Sequence, residues 1–176
     1  MSLNYTEEEL NLLANLPHIV GAAMAFAGSS GLFGTGKEMF ANAQAVMAGI
    51  KDYPNNALIQ AVLPDAKGDA SAAMEKMKKV RAWGMERMKS KGVDSAEKFQ
   101  AVTVADCKTV ADLLVTKSTP EEAAEYKQWA MSIAEKDAMT TTEGSFLGFG
   151  GERFSANERA LMSQIENAMG TKSMLA

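Results

Sequence analysis

Residues 31–38, GLFGTGKE, have the glycine and lysine spacing of a phosphate-binding loop. Gly31, Gly36 and Lys37 fit G-x-x-x-x-G-K, in which backbone amides surround phosphates and the lysine neutralises them. The motif next requires Ser or Thr to bind magnesium, and the chain has Glu38 there. No apolar β-run precedes the segment, as it must in a phosphate loop. These departures argue against nucleotide hydrolysis.

A second copy of the motif lies 114 residues further along the chain. Residues 30–40, SGLFGTGKEMF, align with 144–154, GSFLGFGGERF, and Gly151 stands where the first copy has Lys37. Glycines at such a connector take positive φ and let two helices approach. The functional alternative is that free amides at the next helix start bind an anion or a partner's carboxylate. The candidate contacts are Gly34, Gly36, Glu38, Gly148, Gly150 and Glu152. Since the two glutamates would repel an anion, the structural explanation is preferred.

Paired carboxylates are the other candidates for chemistry, because they bind hard cations or act as acid and base. Glu7 and Glu8 recur at Glu121 and Glu122 with the same offset of 114 residues. An internal twofold would bring the two pairs together. Their position at helix starts also explains them through the helix dipole.

One histidine and one cysteine limit catalysis further. His18 follows Pro17 in an apolar segment, and a lone histidine cannot form a multi-histidine metal site within one chain. Cys107 has no partner for a disulfide and no base close in sequence, which favours a buried, unreactive thiol.

A basic segment runs from residue 75 to 91 and holds seven Lys or Arg against two Glu. A basic amphipathic helix of this kind can dock on an acidic partner or on a membrane surface. It can equally be a solvated face, or lie against the acidic remainder of its own fold. The basic residues are Lys76, Lys78, Lys79, Arg81, Arg87, Lys89 and Lys91.

Helix signals account for most of the remaining sequence, and no segment alternates with period two. Thr6 and Glu9, and Ser155 and Glu158, have capping-box spacing, while Pro120 suits a first helical position. Pro17 should kink or restart the first helix. We therefore predict helices near 6–28, 37–50, 55–63, 69–91, 95–115, 119–143 and 155–170.

Composition suits one domain of 176 residues, with 47% apolar and 7% aromatic residues and thirteen methionines. A net charge of −4 gives no general attraction to nucleic acid.

The N-terminus carries acidic residues where a secretory signal needs basic ones, and the lone cysteine is typical of a protein in a reducing cytoplasm. Residues 11–36 lack Asp, Glu, Lys and Arg over a length that could cross a bilayer, yet they contain several polar residues and no flanking basic cluster. We expect no membrane span.

The two ends of the chain resemble a family of small uncharacterised bacterial helical proteins. The shared features are Trp129 in a helix, an E-G-G-F-L-G-F-G-G-type loop at 143–151, and the S-x-x-E start at Ser155. That resemblance implies bacterial origin and a helical fold, without a reaction. A weaker likeness to TerB-like tellurite-resistance domains implies metal binding, with Glu143 and Glu158 as the ligands carried over. The usual Asp-Gly of those domains is Glu143-Gly144 here.

We thus predict one all-α domain of six or seven helices built from two related helix-loop-helix units about a pseudo-twofold axis. The units span 6–50 and 119–170, with connecting helices at 55–116. A non-catalytic binding or accessory role, such as that of a stress-related module, alone or as a homo-oligomer and with no cofactor implied, is favoured over catalysis. The alternative is a TerB-like domain that binds a metal or a small ligand.

Overall fold

A computed structural model describes residues 4–28, 36–65, 68–143 and 155–172, without the side chains of 36–41 and 140–143. Within these ranges the chain forms seven α-helices and no strand. They are α1 (Glu7–Gly28), α2 (Gly36–Asp52), α3 (Ala57–Val62), α4 (Ala70–Ser90), α5 (Ala96–Lys117), α6 (Pro120–Glu143) and α7 (Ala156–Met169). The predicted all-α class is confirmed. The repeated glycine-rich connectors, 29–35 and 144–154, lie outside the described residues.

Helix starts follow the predicted capping signals. Thr6 Oγ1 accepts from the Glu9 amide at 3.2 Å, and the Thr6 amide donates to Glu9 Oε2 at 2.8 Å. Ser155 and Glu158 make the same reciprocal pair at the start of α7. Ser95 caps α5 and Asp69 caps α4. These caps satisfy amides that have no partner within the first turn of a helix.

The centre of the fold is α1, which contacts every other helix. Its apolar side chains pack with those of α5, α6 and α7 in one core that includes Leu13, Leu16, Tyr126 and Trp129. Of the predicted kink or restart at Pro17, the restart is not found, because α1 continues through Pro17 as one helix.

A hydrogen bond from another helix compensates for Pro17. Because proline has no N–H, the carbonyl of Leu13, four residues earlier, lacks its usual helical donor. The Tyr126 hydroxyl donates to that carbonyl oxygen at 2.6 Å. Burial raises the pKa of Tyr126 well above its ordinary value, so the hydroxyl keeps the proton that it donates. The tyrosine thus occupies the place of the missing amide.

Tyr126→Phe is therefore expected to lower the free energy of unfolding by about 1–3 kcal/mol, since the Leu13 carbonyl is left buried without a donor. The penalty should shrink when Pro17→Ala is also present, because alanine at that position restores the helical N–H. Chemical denaturation of the four proteins measures this coupling. Tyr53→Phe is the control, since no hydrogen bond of the Tyr53 hydroxyl is found in the described part of the chain. An equal Tyr126→Phe penalty in both backgrounds would contradict the compensation.

On the outside of the bundle, α4 packs on α1, and only its Gly84 is buried. Two side chains tie it down elsewhere. Arg87 forms a bidentate pair with Asp106 of α5, and Lys76 donates to the carbonyls of Ala61 and Leu63. The largely exposed helix α4 forms one wall of the candidate site.

Candidate functional site: a groove between α1 and α4

The site residues predicted from the glycine motif are mostly beyond the described structure. Gly34, Gly148, Gly150 and Glu152 lie outside the described residues. Gly36 and Glu38 begin α2, but the Glu38 side chain is not described. Anion or partner binding by this motif therefore stays a prediction.

The structure describes only one of the two side chains, Glu143 and Glu158, that the resemblance implies as metal ligands. Glu143 ends α6, and its side chain is not described. Glu158 is buried in the capping box of α7, where its carboxylate accepts from the Ser155 amide at 2.7 Å. Among the described residues, no group of three or more His, Cys, Asp or Glu side chains is arranged to hold a metal ion. The structure thus gives Glu158 a capping role.

The predicted basic surface on α4 is smaller than its sequence indicates. Lys76 and Arg87 are used within the fold, and Lys78 pairs with Glu75 at 2.9 Å on the surface. The other four basic residues are exposed, and they are Lys79, Arg81, Lys89 and Lys91. A sequence count could not reveal the tertiary contacts of Lys76 and Arg87.

A wide groove of about 1110 Å³ lies between α1 and α4. Three methionines of α4 line it while largely open to solvent, with exposed fractions of 60% for Met74, 40% for Met77 and 65% for Met85. The sequence places these methionines along one side of their helix, as observed, but that side is not closed by protein in the described structure. Its other apolar lining is Ile19, Ala22, Ala25, Ala43, Val80, Met88, Val93 and Phe99.

A chain of three polar side chains lies on one wall of the groove. The Asn42 amide nitrogen donates to Asp137 Oδ2 at 2.6 Å. Its amide oxygen lies 3.2 Å from His18 Nδ1. These side chains fit because Gly21 has no side chain of its own. A Cβ there would stand 1.9 Å from Asp137 Oδ2 and 2.1 Å from Asn42 Nδ2. All four residues border the groove.

The electrostatics of His18 favour its neutral form. Burial lowers the pKa of His18, and the hydrogen bond with Asn42 only partly opposes that effect. A neutral imidazole carries one N–H and one nitrogen lone pair. At neutral pH, His18 therefore offers the groove a polar group without charge.

Asn15 is the most unusual polar residue in the groove lining. Its side chain is only 4% exposed, and Nδ2 has no hydrogen-bond acceptor in the described part of the chain. The amide packs against Gly84, where a Cβ would stand 2.3 Å from Asn15 Oδ1. An unpaired buried amide costs free energy comparable to a lost hydrogen bond, so it marks a site where an acceptor is missing.

Cys107 does not contribute to this chemistry. The thiol is fully buried in the core, and burial raises its pKa to about 12. It therefore stays protonated at neutral pH, as expected for an unreactive cysteine.

A partial signal for the groove is present in the sequence. Asn11, Asn15 and His18 fall at spacings of four and three within the uncharged segment, so they share one face of α1. By contrast, Asn42 and Asp137 lie far from His18 in the chain, and nothing local in the sequence joins them.

Among the described helices, α1 alone is long and apolar enough to cross a membrane. In this fold, 67% of its most apolar window is buried inside the protein. Length and composition do not separate a membrane span from a buried core helix.

Comparison with known proteins does not identify a function for this chain. No protein-family model, curated protein or solved structure matches the chain. The resemblances to the small bacterial helical family and to TerB-like domains stay predictions.

Proposed function

We propose that this protein is a non-catalytic binding protein whose groove between α1 and α4 holds a small amphipathic molecule. The observation that carries the proposal is that Asn15, whose amide nitrogen is unpaired, belongs to the lining of a largely apolar groove of about 1110 Å³. Small-molecule sites are mostly apolar clefts of about 300–1,000 Å³ with a few polar groups that fix orientation. The groove has this composition at slightly larger size.

Methionine lining supports the same proposal. Met74, Met77 and Met85 present flexible thioether side chains to the groove. Such side chains adapt their shape to different apolar ligands. Exposed methionines on one face of a helix are also a cost in water, which a bound apolar chain would remove.

The polar groups favour binding over catalysis. His18 is held by the amide of Asn42 instead of directly by a carboxylate. The Cys107 thiol, with its raised pKa, is buried in the core and cannot act as the nucleophile. In this proposal the protein is an accessory protein of the bacterial cytoplasm, and its two outer helix-loop-helix units are related by an ancestral duplication.

A fluorescence titration with anilinonaphthalene sulfonate, followed by displacement with dodecanol, tests the proposal. Met85→Asp should raise the dissociation constant of the probe about tenfold, equivalent to 1.4 kcal/mol, because it places a charge in the apolar wall. Val115→Asp is the matched control, since Val115 is 75% exposed on α5 and is not part of the groove lining. Far-ultraviolet circular dichroism checks that both variants fold.

Two results would overturn the proposal: equal probe affinities for the two variants, or no displacement of the probe by dodecanol.

A second candidate function is docking of an acidic protein, favoured by the exposure of Lys79, Arg81, Lys89 and Lys91. Binding of that kind would weaken steeply with salt, whereas binding of uncharged dodecanol would not.

A further inference from the structure

We infer that the groove selects ligands whose polar end both accepts and donates a hydrogen bond, as a hydroxyl group does. The inference rests on the proposed function and names the class of its ligand: aliphatic alcohols. It follows from a donor and an acceptor that stand one helical turn apart on the groove face of α1.

The donor is the amide nitrogen of Asn15. Asn15 belongs to the groove lining, and its Nδ2 is buried next to Gly84 with no acceptor in the described part of the chain. A ligand oxygen that reached it would satisfy an atom that the fold leaves unpaired. The gain is larger than for an exposed donor, since no water has to be displaced from a well-formed hydrogen bond.

The acceptor follows from the orientation of Asn42. Its Nδ2 must face Asp137, because the aspartate carboxylate accepts at 2.6 Å and has no proton to give. Its Oδ1 therefore faces His18 Nδ1, which must carry the proton in that contact. The neutral ring then has its lone pair on Nε2, the tautomer being fixed by the bond at the other nitrogen.

His18 Nε2 has no hydrogen-bond partner among the described residues, and the ring borders the groove. Asn15 and His18 are three residues apart on α1, which sets them on one face about 4.5 Å apart along the helix axis. A hydroxyl between them accepts from Asn15 Nδ2 and donates to His18 Nε2. An ether or ester oxygen can satisfy only Asn15, and a carboxylate oxygen would meet the lone pair of Nε2 with its own charge.

Matched aliphatic probes test the selectivity. Dodecanol should displace the fluorescent probe with about tenfold higher affinity than dodecyl methyl ether, which has the same chain and an acceptor but no donor. His18→Phe should bring dodecanol close to the affinity of the ether, while the ether changes little. Asn15→Leu should weaken both probes, because each loses the hydrogen bond that its oxygen accepts, and should leave dodecanol the tighter ligand. Asn15→Leu should also raise Tm, because it removes the unpaired amide.

His18 provides a readout that does not depend on binding. As the only histidine, it gives the only imidazole signals in a long-range nitrogen–proton NMR spectrum. We expect the pattern of the Nδ1–H tautomer at pH 7 and a shift of the Nε2 resonance when dodecanol is added. The Nε2–H tautomer would overturn the inference.

The outcomes separate the two proposals. If neither dodecanol nor its ether binds, the proposed function fails and this inference fails with it. If both bind with equal affinity, the groove is a ligand site but the selection of a hydroxyl is wrong. If His18→Phe leaves the preference for dodecanol intact, or if Asn15→Leu leaves both affinities unchanged, the assignment to these two residues is wrong.

Discussion

Arg87→Met is expected to lower the free energy of unfolding by about 3–5 kcal/mol, because it leaves the carboxylate of Asp106 buried without its counter-charge. The Asp106 side chain is 4% exposed, and Arg87 bonds both of its oxygens, at 2.9 Å and 2.6 Å. The guanidinium also lies 5.3 Å from the centre of the Trp83 ring. Methionine keeps much of the stem of arginine while removing the charge.

Arg81→Met is the matched control for this prediction, since Arg81 is exposed on the same helix. It should change stability by less than about 0.5 kcal/mol, as surface substitutions usually do. The double variant Arg87→Met with Asp106→Leu should recover most of the loss, because no buried charge remains. Urea denaturation measures all three proteins. A loss as small as that of Arg81→Met would show that the pair contributes little.

The same ion pair bears on the groove, since it joins α4, the outer wall, to α5. Hydrogen exchange of α4 amides should therefore speed up in Arg87→Met, whereas amides of α6 should change only as far as global stability falls. That pattern would show that α4 opens separately from the core.

Local signals are enough to predict the helices. Thr6, Ser155 and Pro120 act within one helical turn, so the residues that decide a boundary are adjacent in sequence. The predicted bounds of α4 and α5 differ from the observed ones by one or two residues. Periodicity correctly places Met74, Met77 and Met85 on one side of α4, although it cannot say whether another element covers that side.

Long-range contacts explain what the sequence did not reveal. In the sequence, Arg87 belongs to a basic segment, and only the structure shows that it pairs with Asp106. Likewise, the sequence indicates that Tyr126 is a core aromatic, and only the structure shows that its hydroxyl donates to the Leu13 carbonyl. Asn15 is informative only because no acceptor reaches it in the described part of the chain, which no local pattern encodes. Polar residues in the site depend on tertiary geometry, whereas helix boundaries do not.

Trp129→Ala is the second substitution with a large expected effect, a loss of about 3–5 kcal/mol in the free energy of unfolding. The indole is 1% exposed, packs edge-on against Tyr126 with ring centres 5.5 Å apart, and donates from Nε1 to the Val46 carbonyl at 3.3 Å. Its removal leaves a cavity between α2 and α6. Neither helix can close that cavity without moving against α1.

Gly49 provides a sharper test of this packing, because the effect of Gly49→Ala should change sign with residue 129. In the native protein a Cβ at Gly49 would stand 2.6 Å from Trp129 Nε1, so overpacking of about 1–3 kcal/mol outweighs the gain in helix propensity of about 1 kcal/mol. In Trp129→Ala the obstruction is gone, and Gly49→Ala should stabilise. Comparing Gly with Ala at the exposed Gln44 of α2 measures the propensity term alone in both backgrounds. If Gly49→Ala cost the same in both, the indole would not be what requires glycine at this position. A change of sign would show that α2 and α6 approach as closely as they do because residue 49 has no side chain.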